Sequence, residues 1–292
     1  MHAAPAGEKH RNRGSGVGTG VDRTFPLVDH VARLTLNVRD LDRAIGFYVG
    51  ALGFRVDARQ SDRACLALGS QPVELLACPD GAGYPESRAA NDPWFQHFAI
   101  AVADMGVAHE RLSRYSPEPI TRGWPRLLPP STGSVTAYKF RDPDGHPLEL
   151  SHAPGSSWSR AATPDGAVFQ GIDHTALAVR DLEASIAFYT DLGFRVGGRS
   201  INQGPEQALL DGLNGAVVDI VTLLTPGIGP HIELLHYRSP AAASPRDVAA
   251  NDIAATRTVL ATCEPFPHGE GENPSISCRR DPDGHLLHFM FS

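Results

Sequence analysis

Two phrases in this chain share six letters and then part at a chemically important position. RDPDGHPLEL begins at Arg141 and RDPDGHLLHF begins at Arg280; eight residues after each arginine stand Glu149 and His288. A second matched pair, QPVELLACP at 71–79 and PHIELLHYR at 230–238, carries Glu74 and Glu233. Carboxylates and imidazoles are the side chains that hold transition-metal ions and move protons near neutral pH. A single glutamate in a strand such as PVELLA or PLELSH could equally face water, and a single histidine in an apolar strand is usually hydrogen-bonded and structural. The recurrence of both types at matched places is what favours chemistry.

The matches are collinear. Arg39 in VRDLDRAIGFYVGALGFRV corresponds to Arg180 in VRDLEASIAFYTDLGFRV, 141 positions on; Glu233 follows Glu74 by 159 and Arg280 follows Arg141 by 139. A weaker pair, NDPWFQHFAI at 91–100 and NDIAATRTVL at 251–260, falls between these with an offset of 160. Four matches in one order indicate a duplicated chain. The rise in offset places roughly 19 extra residues in NQGPEQALLDGLNGAVVDIVTLLTPGIGP of the second half; the fall after 260 removes roughly 21 near its end. SHAPGSSWSRAATPDGAVFQ, rich in Ser, Pro, Gly and Ala, reads as a linker. The expected organisation is a disordered tail at 1–26, a first domain at 27–153, a linker at 154–169 and a second domain at 170–292.

The elements that must position the candidate residues follow from local pattern. VARLTLNV alternates and is β-branched, which predicts a strand. Asp40 is placed to cap a helix whose apolar residues Leu41, Ile45, Tyr48 and Leu52 recur at helical spacing, and Gly53 can end it. FRVDARQ, ACLAL and PVELLAC then read as strands. The same order recurs in QHFAIAVADM, VAHERLSRY, PITRGW, VTAYKF and PLELSH. Each half therefore holds two βαβββ units, and the loss near the end removes the fourth helix. DPDG is a tight turn, so His146 and His285 read as residues that flank it and hydrogen-bond.

The bulk composition sets outer bounds. With 292 residues, two domains are expected. A net charge of −7 argues against nucleic acid or an anionic membrane as partner. No apolar run is long enough to span a membrane, and the N-terminus lacks the apolar core of a secretory signal. The four cysteines form no C-x-x-C pair, which predicts reduced thiols in a cytoplasmic protein. A monomer or homodimer is expected.

A chain of βαβββ units carrying V-R-D-L-x-x-(A/S)-I-x-F-Y and R-D-P-D-G-H resembles the vicinal oxygen chelate superfamily. This includes glyoxalase I, extradiol catechol dioxygenases, fosfomycin-resistance enzymes and bleomycin-binding proteins. The resemblance covers residues 28–292 outside the linker. It implies an α+β fold made by tandem duplication of paired modules: four modules forming two half-open, cup-shaped sheets, the last lacking its helix. In such cups, metal ligands come from the first and last strands of each module. On that resemblance the ring positions of the first half are Arg33, Glu74, His97 and Glu149, and those of the second are His174, Glu233, Arg257 and His288. The implied metal sets are Glu74, His97 and Glu149 in one domain and His174, Glu233 and His288 in the other. The ion would be Fe, Mn, Ni, Co or Zn.

The implied activity is that of a glyoxalase-like lyase or isomerase, or of an extradiol-type dioxygenase, and the family likeness carried by the motifs implies a small molecule as partner. In the first case the metal holds adjacent substrate oxygens while Glu149 or Glu74 moves a proton and Arg33 meets a substrate anion. Arg257, Tyr138 and Trp94 are candidate substrate contacts. The first half, with its architecture intact, is the expected active one. The competing reading is a metal-free, drug-sequestering protein with an aromatic wall of Trp94, Trp124 and Tyr138. No residue cluster specifies glutathione.

Overall fold

The structure, a computed structural model, describes residues 27–154, 166–242, 247–264 and 276–291. The expected tail at 1–26 and most of the expected linker lie outside them. The first module comprises β1 (Val28–Val38), α1 (Leu41–Leu52), β2 (Arg55–Arg59), β3 (Arg63–Leu68) and β4 (Gln71–Ala77). The second comprises β5 (Gln96–Val102), α2 (Met105–Ser113), the short β6 (Glu118–Pro119) and β7 (Arg126–Leu127), β8 (Thr136–Arg141) and β9 (Pro147–His152). The third contains β10 (Phe169–Ala178), α3 (Leu182–Asp191), β11 (Arg195–Gln203), α4 (Pro205–Leu210), β12 (Val217–Leu224) and β13 (His231–Ser239). The fourth has β14 (Arg257–Thr262), β15 (Ile276–Arg280) and β16 (Leu286–Phe291). Among the described residues this last module has no helix, and 265–275 lie outside them.

Local chemistry sets the element ends. Asp40, Asp104 and Asp181 each accept a hydrogen bond from a backbone N–H three residues on, capping α1, α2 and α3. Gly53 closes α1 at φ 74°, a left-handed conformation that glycine adopts without strain. The segment with no counterpart in the first half forms α4 and the flanking lengths of β11 and β12, where it walls one cup.

The cups are not one per half. The seven-stranded sheet has the order β15-β16-β14-β1-β4-β3-β2, joining the first module to the fourth; the nine-stranded sheet runs β11-β12-β13-β10-β5-β9-β8-β6, with β7 also paired to β8, and joins the second module to the third. The antiparallel β1–β14 and β5–β10 pairs make these joins. The expectation that each half closes its own cup is corrected by this pairing, and packing supplies the reason. The first half buries a common apolar core of α1, α2 and strand residues such as Leu36, Leu66, Phe98, Ile100, Phe140 and Leu150; the second half has its own, with Leu177, Tyr189, Leu223, Leu234 and Phe289. Alternation along a strand sends one face into that core and the other away from it. The core faces unite modules within a half, and the concave faces are left to pair across the halves.

The repeated RDPDGH phrase locks these layers. Tyr48 on α1 donates to Asp142 Oδ2 at 2.9 Å, and Asp142 Oδ1 accepts from the backbone of Asp144 and His146. His146 Nε2 lies 2.8 Å from the Asn37 carbonyl. The second copy repeats the pattern with Tyr189 on Asp281 and His285 on the Ala178 carbonyl. Both histidines are structural partners of the turn, as the sequence suggests.

Candidate metal centre

Pairing across the halves re-sorts the eight ring positions. The nine-stranded cup receives His97 from β5, Glu149 from β9, His174 from β10 and Glu233 from β13. The seven-stranded cup receives Arg33 from β1, Glu74 from β4, Arg257 from β14 and His288 from β16. Strand register makes the two rings equivalent position by position. Ala176 faces both His97 and Glu233, as Thr35 faces both Arg257 and Glu74; Ala99 faces both His174 and Glu149, as Val259 faces both Arg33 and His288. The two sets expected within halves are therefore divided: Glu74 is separated from His97 and Glu149, and His288 from His174 and Glu233. Both arginines fall in one cup.

In the nine-stranded cup, His97, Glu149 and His174 each offer a ligand atom within 4.8 Å of the others. His97 Nε2 lies 3.4 Å from Glu149 Oε2, and His174 Nε2 lies 3.6 Å from Glu233 Oε2. Asp173 Oδ2 sits 2.9 Å from His174 Nδ1, which leaves Nε2 facing the cavity. His231 approaches Glu233 at 3.5 Å, and Asp173, His174 and His231 make a second close group.

The cavity encloses about 310 Å³ and is lined by His97, Lys139, Glu149, His174, Asn202 and Gln207 among others. Lys139, 4% exposed, has its ammonium 2.6 Å from Asp211 and 3.8 Å from Glu149. Gln207 on α4 donates to the other oxygen of Asp211 at 2.7 Å. The wall contributed by the extra segment thus secures a buried cation beside the ring.

The electrostatics follow from this crowding. Burial pushes His97 below its ordinary range, against the upward pull of Glu149, and the Lys139 charge adds to the fall. Burial works to raise the Glu149 carboxyl, but His97 and Lys139 outweigh it and hold the group below its usual value. Burial also opposes the charge on His174, yet Glu233 and Asp173 lift it to about 9. Glu233, despite its own burial, is held down to about 2 by His174 and His231.

These donors fit a divalent transition ion. His97 is 2% exposed; its Nδ1 has no hydrogen-bond partner among the described residues, and its Nε2 has only the 3.4 Å approach of Glu149 Oε2. A buried imidazole so weakly satisfied is costly unless it coordinates. Two imidazoles and two carboxylates form a mixed N/O set of the kind borderline metals prefer.

The seven-stranded cup has different chemistry. Arg33 Nε lies 3.4 Å from Glu74, and its Nη1 meets Met290 Sδ at 3.8 Å. Arg257 donates to Asn37 Oδ1 and to the carbonyls of Ala255 and Ala250. Burial, with Arg257 and Arg33 beside it, keeps His288 below its usual range. Two guanidiniums take the places of two imidazoles, and their charge repels a metal cation.

The remaining candidates lie elsewhere. Tyr138 is in the apolar core of the first half, stacked on Phe140; Lys139, its neighbour on β8, takes the cavity face. Trp94 packs on Tyr84, away from the main cavity, and Trp124 is 75% exposed against His109. Lys139 and Asp211 had no signal in the motifs. The alternation of VTAYKF offers the Lys139 face as readily as the Tyr138 face, and Asp211 stands in the segment without a repeat partner.

The chain matches the model of the Glyoxalase/Bleomycin resistance protein/Dioxygenase superfamily over residues 27–150 and 171–289 and belongs to that family. It is similar to a catechol-2,3-dioxygenase of Bacillus subtilis, 28% identical over 200 residues, an alignment spanning 58% of this chain and 66% of that protein, just under two thirds of it. It is also similar to the glutathione transferase FosA of Serratia marcescens, 29% identical over 127 residues, covering 42% of this chain and 81% of that one. Its fold is that of a glyoxalase I variant from Zea mays, with a TM-score of 0.61 at 22% identity over 91% of this chain and 92% of that one. No helix among the described residues is long and apolar enough to cross a membrane.

Proposed function

We infer that this chain is a divalent-metal enzyme acting on a small molecule with two adjacent oxygens, in the manner of a lyase or isomerase. His97, Glu149, His174 and Glu233 would hold the ion. When bound, the metal supplies a Lewis acid that fixes the vicinal oxygens and stabilises negative charge on them. The chain's own residues do the rest. Glu149 and Glu233 are carboxylates able to take a proton from the carbon beside the oxygens and return it to the neighbouring carbon. Asp173 holds His174 in one tautomer. The cavity volume suits a small substrate.

The observation that carries the reading is the convergence of His97, Glu149 and His174 within 4.8 Å, with Glu233 adjoining. An ion held by these four donors, if six-coordinate, would have two positions left for the substrate oxygens. The similarity to the Bacillus subtilis dioxygenase favours a second reading, ring-opening oxygenation. That chemistry needs a further position for dioxygen, and so needs Glu233 to stay off the metal. A metal-free sequestering role has less support, because Tyr138, Trp94 and Trp124 do not line the cavity.

Elemental analysis of protein purified without chelators tests the core of the reading; about one transition ion per chain is expected, absent from a His97→Ala/His174→Ala variant. Wild type without metal, and without gain on adding Fe, Mn, Ni, Co or Zn, would sink it. Glu233→Ala then separates the chemistries. Catechol cleavage that survives this change points to the oxygenase, whereas loss of an isomerase reaction on a 2-oxoaldehyde hemithioacetal points to the four-donor centre.

A further inference from the structure

Lys139 is the buried charged group in the cavity wall that the metal reading leaves without a task. Its ammonium is shared between two carboxylates, Asp211 at 2.6 Å and Glu149 at 3.8 Å. A buried lysine carries a large desolvation penalty, and the fold meets it with Asp211, which sits just after α4 in the segment that has no counterpart in the first half. Gln207 holds the same aspartate from the other side. The arrangement is confined to one cup. By register Lys139 opposes Glu149, as Cys278 opposes His288 in the seven-stranded sheet. The scaffold therefore accepts an uncharged residue at this place where the four-donor ring is missing.

We propose that Lys139 is a positioning residue for Glu149: its ammonium gives the carboxylate a second cationic partner inside the cavity, so that Glu149 can exchange between ligating the metal and standing free as a proton acceptor without leaving the site. The inference rests on the metal reading given above. Two cations competing for one carboxylate weaken each other's hold on it. Asp211 keeps the lysine from following Glu149 toward the ion.

Metal affinity tests this directly, with Co(II) and Zn(II) as probes and chelator competition as the readout, on wild type, Lys139→Arg, Lys139→Met and the charge-matched Lys139→Met/Asp211→Asn. Removal of the ammonium should tighten binding about ten-fold in Lys139→Met and in the double variant, and Lys139→Arg should stay near wild type. The double variant also answers whether Lys139→Met simply misfolds, because it leaves no buried carboxylate unpaired. In a Glu149→Gln background the same replacements should change affinity less than two-fold, since the competed-for charge is gone. Unchanged or weaker binding in the double variant, or an equal gain in the Glu149→Gln background, would overturn the proposal and leave Lys139 a structural residue. If wild type binds neither ion, the metal reading itself falls and takes this inference with it. If wild type binds and only the pattern of gains is absent, the metal reading stands and this one fails.

Discussion

The two cups are one scaffold written twice with opposite electrostatics. His174 occupies the position that Arg33 holds in the other cup, His97 that of Arg257 and Glu149 that of His288, while glutamate stands at both Glu233 and Glu74. Beside the ring, Thr222 and Lys139 correspond to Cys65 and Cys278. Backbone geometry is shared, so the contrast isolates the side chains. One ring offers lone pairs to a cation, and the other already contains two fixed cations, one of them held against Glu74. The fold supplies convergence, and the residue types decide what converges.

The comparison breaks most severely if ligand removal acts equally in both cups. His97→Ala should lower metal affinity at least about 100-fold, whereas His288→Ala should leave metal content unchanged; elemental analysis of the two, side by side, reads this out. Next in size is conversion of the silent cup. Arg33→His with Arg257→His should raise the metal content from about one toward two per chain. It should also lower stability by about 1–3 kcal/mol, because Asn37 and two loop carbonyls lose the Arg257 donors. A calorimetric melt with metal titration checks both effects.

A smaller effect is expected one layer out. Asp173→Asn weakens the hold on the His174 tautomer and should reduce metal affinity about 10–100-fold, measured by chelator competition. The smallest effect concerns pH in metal-free protein. His174 stabilises the fold in its charged form, so its contribution is complete below about 6.5 and fades as the pH rises through about 9. Glu233 contributes fully above about 4.5 and loses its contribution as the pH falls through about 2. The melting temperature should therefore drop by a few degrees from pH 7 to 9.5 without metal. With zinc bound, His174 is neutral throughout, and that alkaline fall should disappear.

Most of the fold was legible because duplication supplies its own alignment. Capping aspartates, the Gly53 stop and the strand patterns gave the modules, and the family resemblance that the matched phrases carry gave the ring positions. Which modules share a sheet was not legible. A repeat reveals equivalence, and adjacency depends on which faces the cores bury. Thus Arg33 and Arg257, one in each half of the text, meet in one cup, and the four donors His97, Glu149, His174 and Glu233 assemble from both. Tyr138 and Lys139 show the other limit: neighbours on a strand buried on both faces give no hydrophobic signal of which side is the cavity.

Because each cup borrows one module from either half, neither half alone can encode a whole centre. His97 and Glu149 lie before the linker, and His174 and Glu233 after it. A protein consisting of one half could complete such a ring only by clasping a second copy, and both of its rings would then be identical by symmetry. Joining the halves in one polypeptide lifts that constraint: a mutation now alters one ring and spares the other, which is how a single molecule can carry a donor-rich bowl and an arginine-filled twin.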